Sequence, residues 1–152
     1  MFNNTQIMAI MNLTPDSFYA NSRMESSQKV VDKAGAFIEE GASIIDIGGQ
    51  STRPGAIMIS EEEEIERVSG AIESISKVFP TIKVSIDTFQ SKVAKAAIEA
   101  GAAIVNDISC GSFDPDILEV VAQFKVGYIG MHITGTKDTM HVIPERTARD
   151  FV

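Results

Sequence analysis

The chain has one cysteine, no tryptophan, two histidines, and only 13 basic residues against 21 acidic ones in 152 positions, a formal charge of −8. Each shortage excludes something. A single thiol cannot form a disulfide framework within the chain, and no Cys/His spacing suggests structural zinc, so a reducing, cytoplasmic setting is expected. The acidic balance argues against a nucleic acid partner, because holding a polyanion relies on clustered Lys and Arg to displace counterions. Long apolar runs are also absent. The segment 7–13 is too short to cross a bilayer and lacks the charged start and cleavage site of a signal peptide, so no membrane partner is expected. No low-complexity stretch or linker breaks the chain, which reads as a single domain over 1–152 with no second one. A complete eight-fold βα barrel typically needs about 250 residues and does not fit.

What is present is the composition of an ordinary globular domain, 44% hydrophobic and 22% charged. Five short apolar runs stand out, at 7–13, 43–49, 82–88, 103–108 and 126–132. They are rich in Ile, Val and Met without strict alternation, as suits parallel strands. Helical patterns lie between them. The segment 27–40 carries Val30, Val31, Ala34, Phe37 and Ile38 at helical spacing and stops at Gly41. Ser60 and Glu63 form a capping-box pattern ahead of the stripe Ile65, Val68, Ile72, Ile75 and Val78, which Pro80 ends. A third helix is expected over 91–100, closed by Gly101, and a fourth opens with Asp114 as N-cap and Pro115 at the first helical position. The acidic run 61–64 reads as solvated helix surface, favoured by the positive end of the helix dipole. Regular β-then-α alternation implies right-handed crossovers and a parallel sheet, open or curled into part of a barrel. A further faint helix starts near Glu145.

Polar residues interrupt these strands at Asn12, Asp46, Asp87, Asn106 with Asp107, and His132, and each interruption is read in the C-terminal half of its strand. In a parallel sheet those halves share the edge where α/β proteins place their ligands. Two loops leaving that edge are polar: 14–19 after the first strand, and 48–56 after the second, with Gly48-Gly49 and Ser51-Thr52-Arg53. Hydroxyls, an arginine and glycine-exposed amides are what a phosphate or pyrophosphate requires, since its oxygens only accept hydrogen bonds. A merely polar βα turn remains the alternative for that loop alone.

The segments Ile10-Met11-Asn12-Leu13-Thr14-Pro15-Asp16-Ser17-Phe18 and Ile45-Asp46-Ile47-Gly48-Gly49-Gln50-Ser51-Thr52-Arg53-Pro54-Gly55-Ala56 resemble the two signature motifs of the dihydropteroate synthases. The resemblance continues through Ser85-Ile86-Asp87-Thr88, Asn106-Asp107-Ile108, and Met131-His132 followed by Gly135-Thr136, in the family's order. It implies a partial TIM-type (β/α) barrel of about five parallel strands with four to five helices, incomplete relative to the eight-fold family barrel. It also implies the reaction in which p-aminobenzoate displaces pyrophosphate from 6-hydroxymethyl-7,8-dihydropterin pyrophosphate in folate biosynthesis, with Mg2+ assisting. By position, Asn12 then contacts magnesium and pyrophosphate, while Thr52 and Arg53 hold the pyrophosphate and help build the aminobenzoate pocket, with Ser51 among the substrate-binding residues. Asp16 joins Asn12, Thr52 and Arg53 in the catalytic group. Phe18 and Pro54 line the aminobenzoate pocket, where sulfonamides compete. Asp87 and Asn106 hydrogen-bond the pterin, and Ile108 and Met131 pack beside it.

Cys110 lacks a base partner and is not read as a nucleophile. His132 is a strand-end hydrogen-bonding group, His141 loop surface, and Asp46 and Asp107 are structural or supporting. Gln50 replaces the glutamate of many family members. The family's later Asp, Ser-Arg-Lys and Arg-x-His segments have no counterpart here. The chain is therefore expected to be an N-terminal portion, inactive alone and poorly stable as an isolated monomer, either lacking a C-terminal half or pairing as a homodimer. Two other readings are a non-catalytic pterin-binding module or partner subunit that completes its barrel with another chain, and a methyltetrahydrofolate-dependent methyltransferase fragment. A methyl-transfer site has no use for Ser51-Thr52-Arg53, which disfavours the last.

Overall fold

Five strands, β1 (Met8–Asn12), β2 (Ile44–Gly48), β3 (Lys83–Asp87), β4 (Ile104–Asp107) and β5 (Gly127–Gly130), pair side by side in chain order, every pair parallel. The helices α1 (Arg23–Glu39), α2 (Glu61–Val78), α3 (Ser91–Glu99) and α4 (Asp116–Phe124) alternate with them. The computed structural model describes residues 5–13, 23–50, 58–133, 135, 136 and 139, with side chains from residue 27 onward in α1. Each helix packs on the next, so all four lie on one face of the sheet. A doubly wound sheet reverses its strand order and covers both faces. Sequential order with helices on one face is an arc of a βα barrel, five strands of the eight that close one.

The strands send alternate residues to opposite faces. Met11, Ile45, Ile47, Val84, Ile86 and Val105 are buried against Ala34, Val68, Ile72, Ile75, Val93, Ala97 and Ile117 of the helices. Fully burying each such aliphatic side chain contributes about 1.5–3 kcal/mol, so this layer holds the arc together. The other face is open: Ile10 is 64% exposed, Met131 46% and Ile129 42%.

Local chemistry sets the element ends. Ser60 Oγ accepts the Glu63 amide at 3.2 Å. The expected capping box is completed differently, because the Glu63 carboxylate pairs with Arg67 one turn on. Gly41 and Gly101 close α1 and α3 at φ +102 and +119, a backbone region that side chains disfavour.

Four expectations need correction. Helix α1 begins at Arg23, earlier than the 27–40 span, because its polar first turn carries no apolar periodicity to read. Helix α4 begins at Asp116, with Pro115 in the flanking position. Asp114 still caps it, Oδ1 accepting Asp116 N at 3.2 Å, while Oδ2 accepts Ser91 N at 2.7 Å at the start of α3. One carboxylate thus serves two helices. The acidic run at 61–64 is not uniformly solvated: Glu64 is 1% exposed and lies four residues before Val68 on the buried stripe Glu64, Val68, Ala71, Ile72 and Ile75. Val78, expected within that stripe, is 53% exposed. The expectations for Glu145 and His141 lie outside the described residues.

Candidate functional site

Strand register places Asn12, Gly48, Asp87, Asn106 and Ile129 side by side in one row at the C-terminal edge. Two residues back along the same face runs a second row of Ile10, Asp46, Ser85, Ile104 and Gly127. Asn12, Asp46, Asp87 and Asn106 therefore share the open face of the arc. Asp46 lies mid-strand in β2 and not in its C-terminal half, one correction to the pattern of interruptions.

Asp107 is the other correction. It follows Asn106 directly, so it points to the helix side, fully buried. Its Oδ1 accepts Ser109 N at 2.7 Å and Ser109 Oγ at 2.8 Å, and its Oδ2 accepts Gly111 N at 2.7 Å and the Tyr128 hydroxyl at 2.8 Å. These four bonds pin the turn after β4 and leave Asp107 no part in the open face. Burial, together with the bond to Asp107, holds the Tyr128 hydroxyl well above the usual phenol range.

On the open face Asn106 Nδ2 donates to Asp46 Oδ2 at 3.0 Å. Asp46 Oδ1 and Ser85 Oγ are both buried with no hydrogen-bond partner. Burial pushes the Asp87 carboxyl up to about 7, and the nearby charges of Asp46, Glu64 and Asp107 push in the same direction. The face thus carries the half-buried Asp87 carboxyl and Asn106 amide, with the Asp46 carboxylate and Ser85 hydroxyl of the second row buried. Buried polar groups without partners are costly to the fold. Ser85 was not singled out from sequence, although its position two residues before Asp87 puts it on the same face.

The loop after β2 leaves from a tight base. Arg67 Nη1 donates to Gly49 O at 3.0 Å, and Ile59 N donates to the buried Gln50 Oε1 at 2.9 Å. A side chain on Gly49 would begin 2.8 Å from Val68 Cγ1 and 2.9 Å from Glu64 Cγ, so only glycine fits there without displacement. The neutral Gln50 amide, in place of a carboxylate, acts as the clasp that closes this base. Ile108 is partly buried just beyond β4, and Met131 follows β5 with its amide bonded to Asp107 O at 2.9 Å. His132, expected within the fifth strand, lies two residues beyond the end of β5 and is exposed, as is Cys110. Asp16 and Phe18 of the first loop and Ser51, Thr52, Arg53 and Pro54 of the second lie outside the described residues.

Asn12 is exposed, with Oδ1 reaching to 3.0 Å from the point where a side chain on Gly48 would begin. Among the described residues no three His, Cys, Asp or Glu groups gather as a metal cage. One exposed side-chain oxygen would suffice to hold magnesium, which keeps several waters and takes few protein ligands. Among the described residues, no helix is long and apolar enough to cross a membrane.

Fold and site define a βα-barrel protein whose polar groups converge at the C-terminal strand edge. The chain belongs to the pterin-binding enzyme family, whose profile, described as "Pterin binding enzyme", matches residues 8–152. It is 53% identical over 131 residues to the folic acid synthesis protein of Pneumocystis carinii, covering 86% of this chain and 18% of that protein. It is 46% identical over 136 residues to the dihydropteroate synthase of Synechocystis sp., covering 90% of this chain and 47% of that one. Among solved structures it resembles Xanthomonas albilineans dihydropteroate synthase with 4-aminobenzoic acid, at 38% identity and a TM-score of 0.78 over 88% of this chain and 48% of that chain. The chain thus spans about half the length of these two synthases.

Proposed function

We propose that this chain supplies the pterin-facing and pyrophosphate-facing part of a dihydropteroate synthase, which joins p-aminobenzoate to 6-hydroxymethyl-7,8-dihydropterin pyrophosphate with release of pyrophosphate. The observation that carries the reading is the row of Asn12, Asp87 and Asn106 at the C-terminal strand edge, with Asn106 held by Asp46. A pterin edge presents an amino group and ring N–H donors, and carboxylates and an amide oxygen suit them. Family membership and the likeness to dihydropteroate synthases support the same assignment.

In this reading Asp87 and Asn106 orient the ring, and Ile108 and Met131 cover its apolar surface. Ser51, Thr52 and Arg53 take the pyrophosphate, with Asp16 and Asn12 beside it, and Phe18 and Pro54 border the aminobenzoate. Asn12 would hold a magnesium ion, which when bound would supply charge neutralisation for the pyrophosphate. Arg53 stabilises the same charge more strongly as the carbon–oxygen bond lengthens, so its contribution falls on the transition state. No covalent nucleophile is required of these residues. We place the protein in the cytoplasm, acting on small molecules and not on nucleic acid or membrane, with its barrel completed by further chain or by a partner copy.

Calorimetry of the protein with its barrel complete, with 6-hydroxymethylpterin and, separately, with inorganic pyrophosphate and magnesium, tests the assignment. Asp87→Ala should weaken pterin binding by about tenfold or more, a loss of about 1.4 kcal/mol, and leave pyrophosphate binding within about twofold. Arg53→Ala should do the reverse, with a loss that shrinks as salt is raised. Equal weakening of both ligands by either variant would overturn the assignment.

A further inference from the structure

Gly48 ends β2 in the strand-edge row, flanked in register by Asn12 of β1 and Asp87 of β3. Glycine suits an extended strand poorly, since it loses more backbone freedom on folding than any other residue and brings no side chain to pack. A positive φ or a crowded Cβ position ordinarily explains it. Gly48 does not have a positive φ. Nor does the core crowd it. The atoms nearest to an added Cβ are Asn12 Oδ1 at 3.0 Å, Asp87 Oδ2 at 3.5 Å and Asp87 Cβ at 3.7 Å, all of them in site side chains. The next residue is the opposite case, because Val68 and Glu64 of α2 crowd Gly49. Of the paired glycines, one is required by the helix layer and the other makes room only for the site.

That room has a geometric consequence. Asn12 and Asp87 stand on strands separated by β2, roughly 9–10 Å apart on a flat sheet. Their side-chain oxygens nevertheless both lie close to one point above Gly48. The approach of Asn12 is the tighter one, while Asp87 is at ordinary contact distance. Asn12 is also exposed, so it can turn out to solvent, whereas Asp87 is half-buried. A methyl group at position 48 would therefore displace Asn12 first and leave Asp87 nearly where it is.

We propose that Gly48 is a positioning residue of the site: its bare backbone lets Asn12 lean towards Asp87, so that both side chains reach one ligand where its ring joins its phosphate. This rests on the reading of Asp87 as pterin-facing and Asn12 as pyrophosphate-facing. A ligand that must touch both groups gains from finding them already together, because less ordering remains to be done on binding. The strand gives up some stability for this arrangement, since alanine is the better residue there for the fold alone.

The test uses the protein with its barrel complete, as the parent, Gly48→Ala, Asn12→Ala and the double variant. Calorimetry reads the affinity for inorganic pyrophosphate with magnesium and, separately, for 6-hydroxymethylpterin. Gly48→Ala should weaken pyrophosphate binding by about tenfold and leave pterin binding within about threefold. It should also unfold at an equal or higher urea concentration than the parent. In the Asn12→Ala background no amide remains to be displaced, and Gly48→Ala should change pyrophosphate affinity by less than about twofold. Equal weakening of both ligands, the full loss repeated in the Asn12→Ala background, or a fall in the urea midpoint that accompanies the lost affinity would overturn the proposal. If the parent binds neither ligand, the reading of the site fails by itself, and NMR without ligand decides the role of Gly48. The Asn12 side-chain amide protons should show close contacts with the Gly48 α-protons in the parent, and that amide resonance should move in Gly48→Ala. A parent without those contacts, or a variant in which the Asn12 amide stays in place, would refute the positioning role.

Discussion

Asn106 on β4 donates its side-chain amide to Asp46 on β2 at 3.0 Å, across the whole width of the intervening β3. The two residues are also two positions out of register, since Asp46 aligns with Ser85 and Asn106 with Asp87. On a flat sheet their strands would lie roughly 9–10 Å apart, too far for two such short side chains. The bond therefore reflects curvature towards this face, and it joins alternate strands in the manner of the layers inside a βα barrel. It also directs the Asn106 amide donor to protein, leaving the Asn106 oxygen among the acceptors that face a ligand.

Asp46→Ala should destabilise the chain by about 1–2 kcal/mol, because the Asn106 amide is left without its acceptor. Urea denaturation measures the loss. Pterin affinity should fall with it by about fivefold or more, since Asn106 is no longer held in one rotamer. Unchanged affinity in a destabilised chain would show that Asp46 supports the fold alone.

The Asp87 carboxyl, raised from an ordinary value of 3.8 to about 7, makes both stability and binding depend on pH. Between those values the folded chain keeps a proton that the unfolded chain has released. Stability from this group is therefore fully present below about pH 4 and is lost as pH rises through about 7, by up to about 1.4 kcal/mol per unit of difference. Glu64, also raised, adds a fall in the same direction. Binding of a donor-rich ring runs the opposite way, strengthening as Asp87 ionises. Asp87→Asn should flatten the binding profile between about pH 5.5 and 8, and calorimetry across that range checks it.

Asp107→Ala should be among the most damaging substitutions, at about 3–5 kcal/mol, because it removes one buried carboxylate from four donors at once. Thermal or urea unfolding reports the loss. If enough folded chain remains, its pterin affinity should stay within about twofold of the parent, since Asp107 lies on the helix side of β4.

Two glycines give a matched pair. Gly49→Ala drives a methyl group into Val68 and Glu64 and should cost about 1–3 kcal/mol. Gly70, within α2 and with nothing inside 4 Å of an added Cβ, should gain up to about 1 kcal/mol on replacement by alanine. Urea midpoints of the two variants should move in opposite directions.

Much of the architecture is legible in the sequence. The apolar runs became β1 to β5, trimmed at their ends, because a buried parallel strand leaves a dense apolar signature that needs no partner to recognise. Gly41 and Gly101 marked helix ends, since a positive φ is a local demand. The polar positions at the strand edge were equally visible at Asn12, Asp87 and Asn106. Glu64 was not, because four consecutive glutamates at a helix start have an adequate local explanation. Its spacing of four before Val68 was the available signal, and it competed with the stronger preference of charges for solvent. Asp107, beside Asn106 in sequence, belongs to the other face, an assignment that strand phase decides.

Sequence by itself determined the alternation of strands and helices, the helix stops and the residue types at the strand edge, because each depends on a few neighbouring positions along the chain. Tertiary structure alone decided which polar groups share a face, which are left unpartnered and which acid lies buried behind the site. Those properties depend on register and curvature, which bring Asp46 to Asn106 and Glu64 to Gln90 from 60 and 26 residues away. The physical reason is that burial and hydrogen-bond partnership are set by groups distant in sequence, whereas backbone preference is set by groups close by.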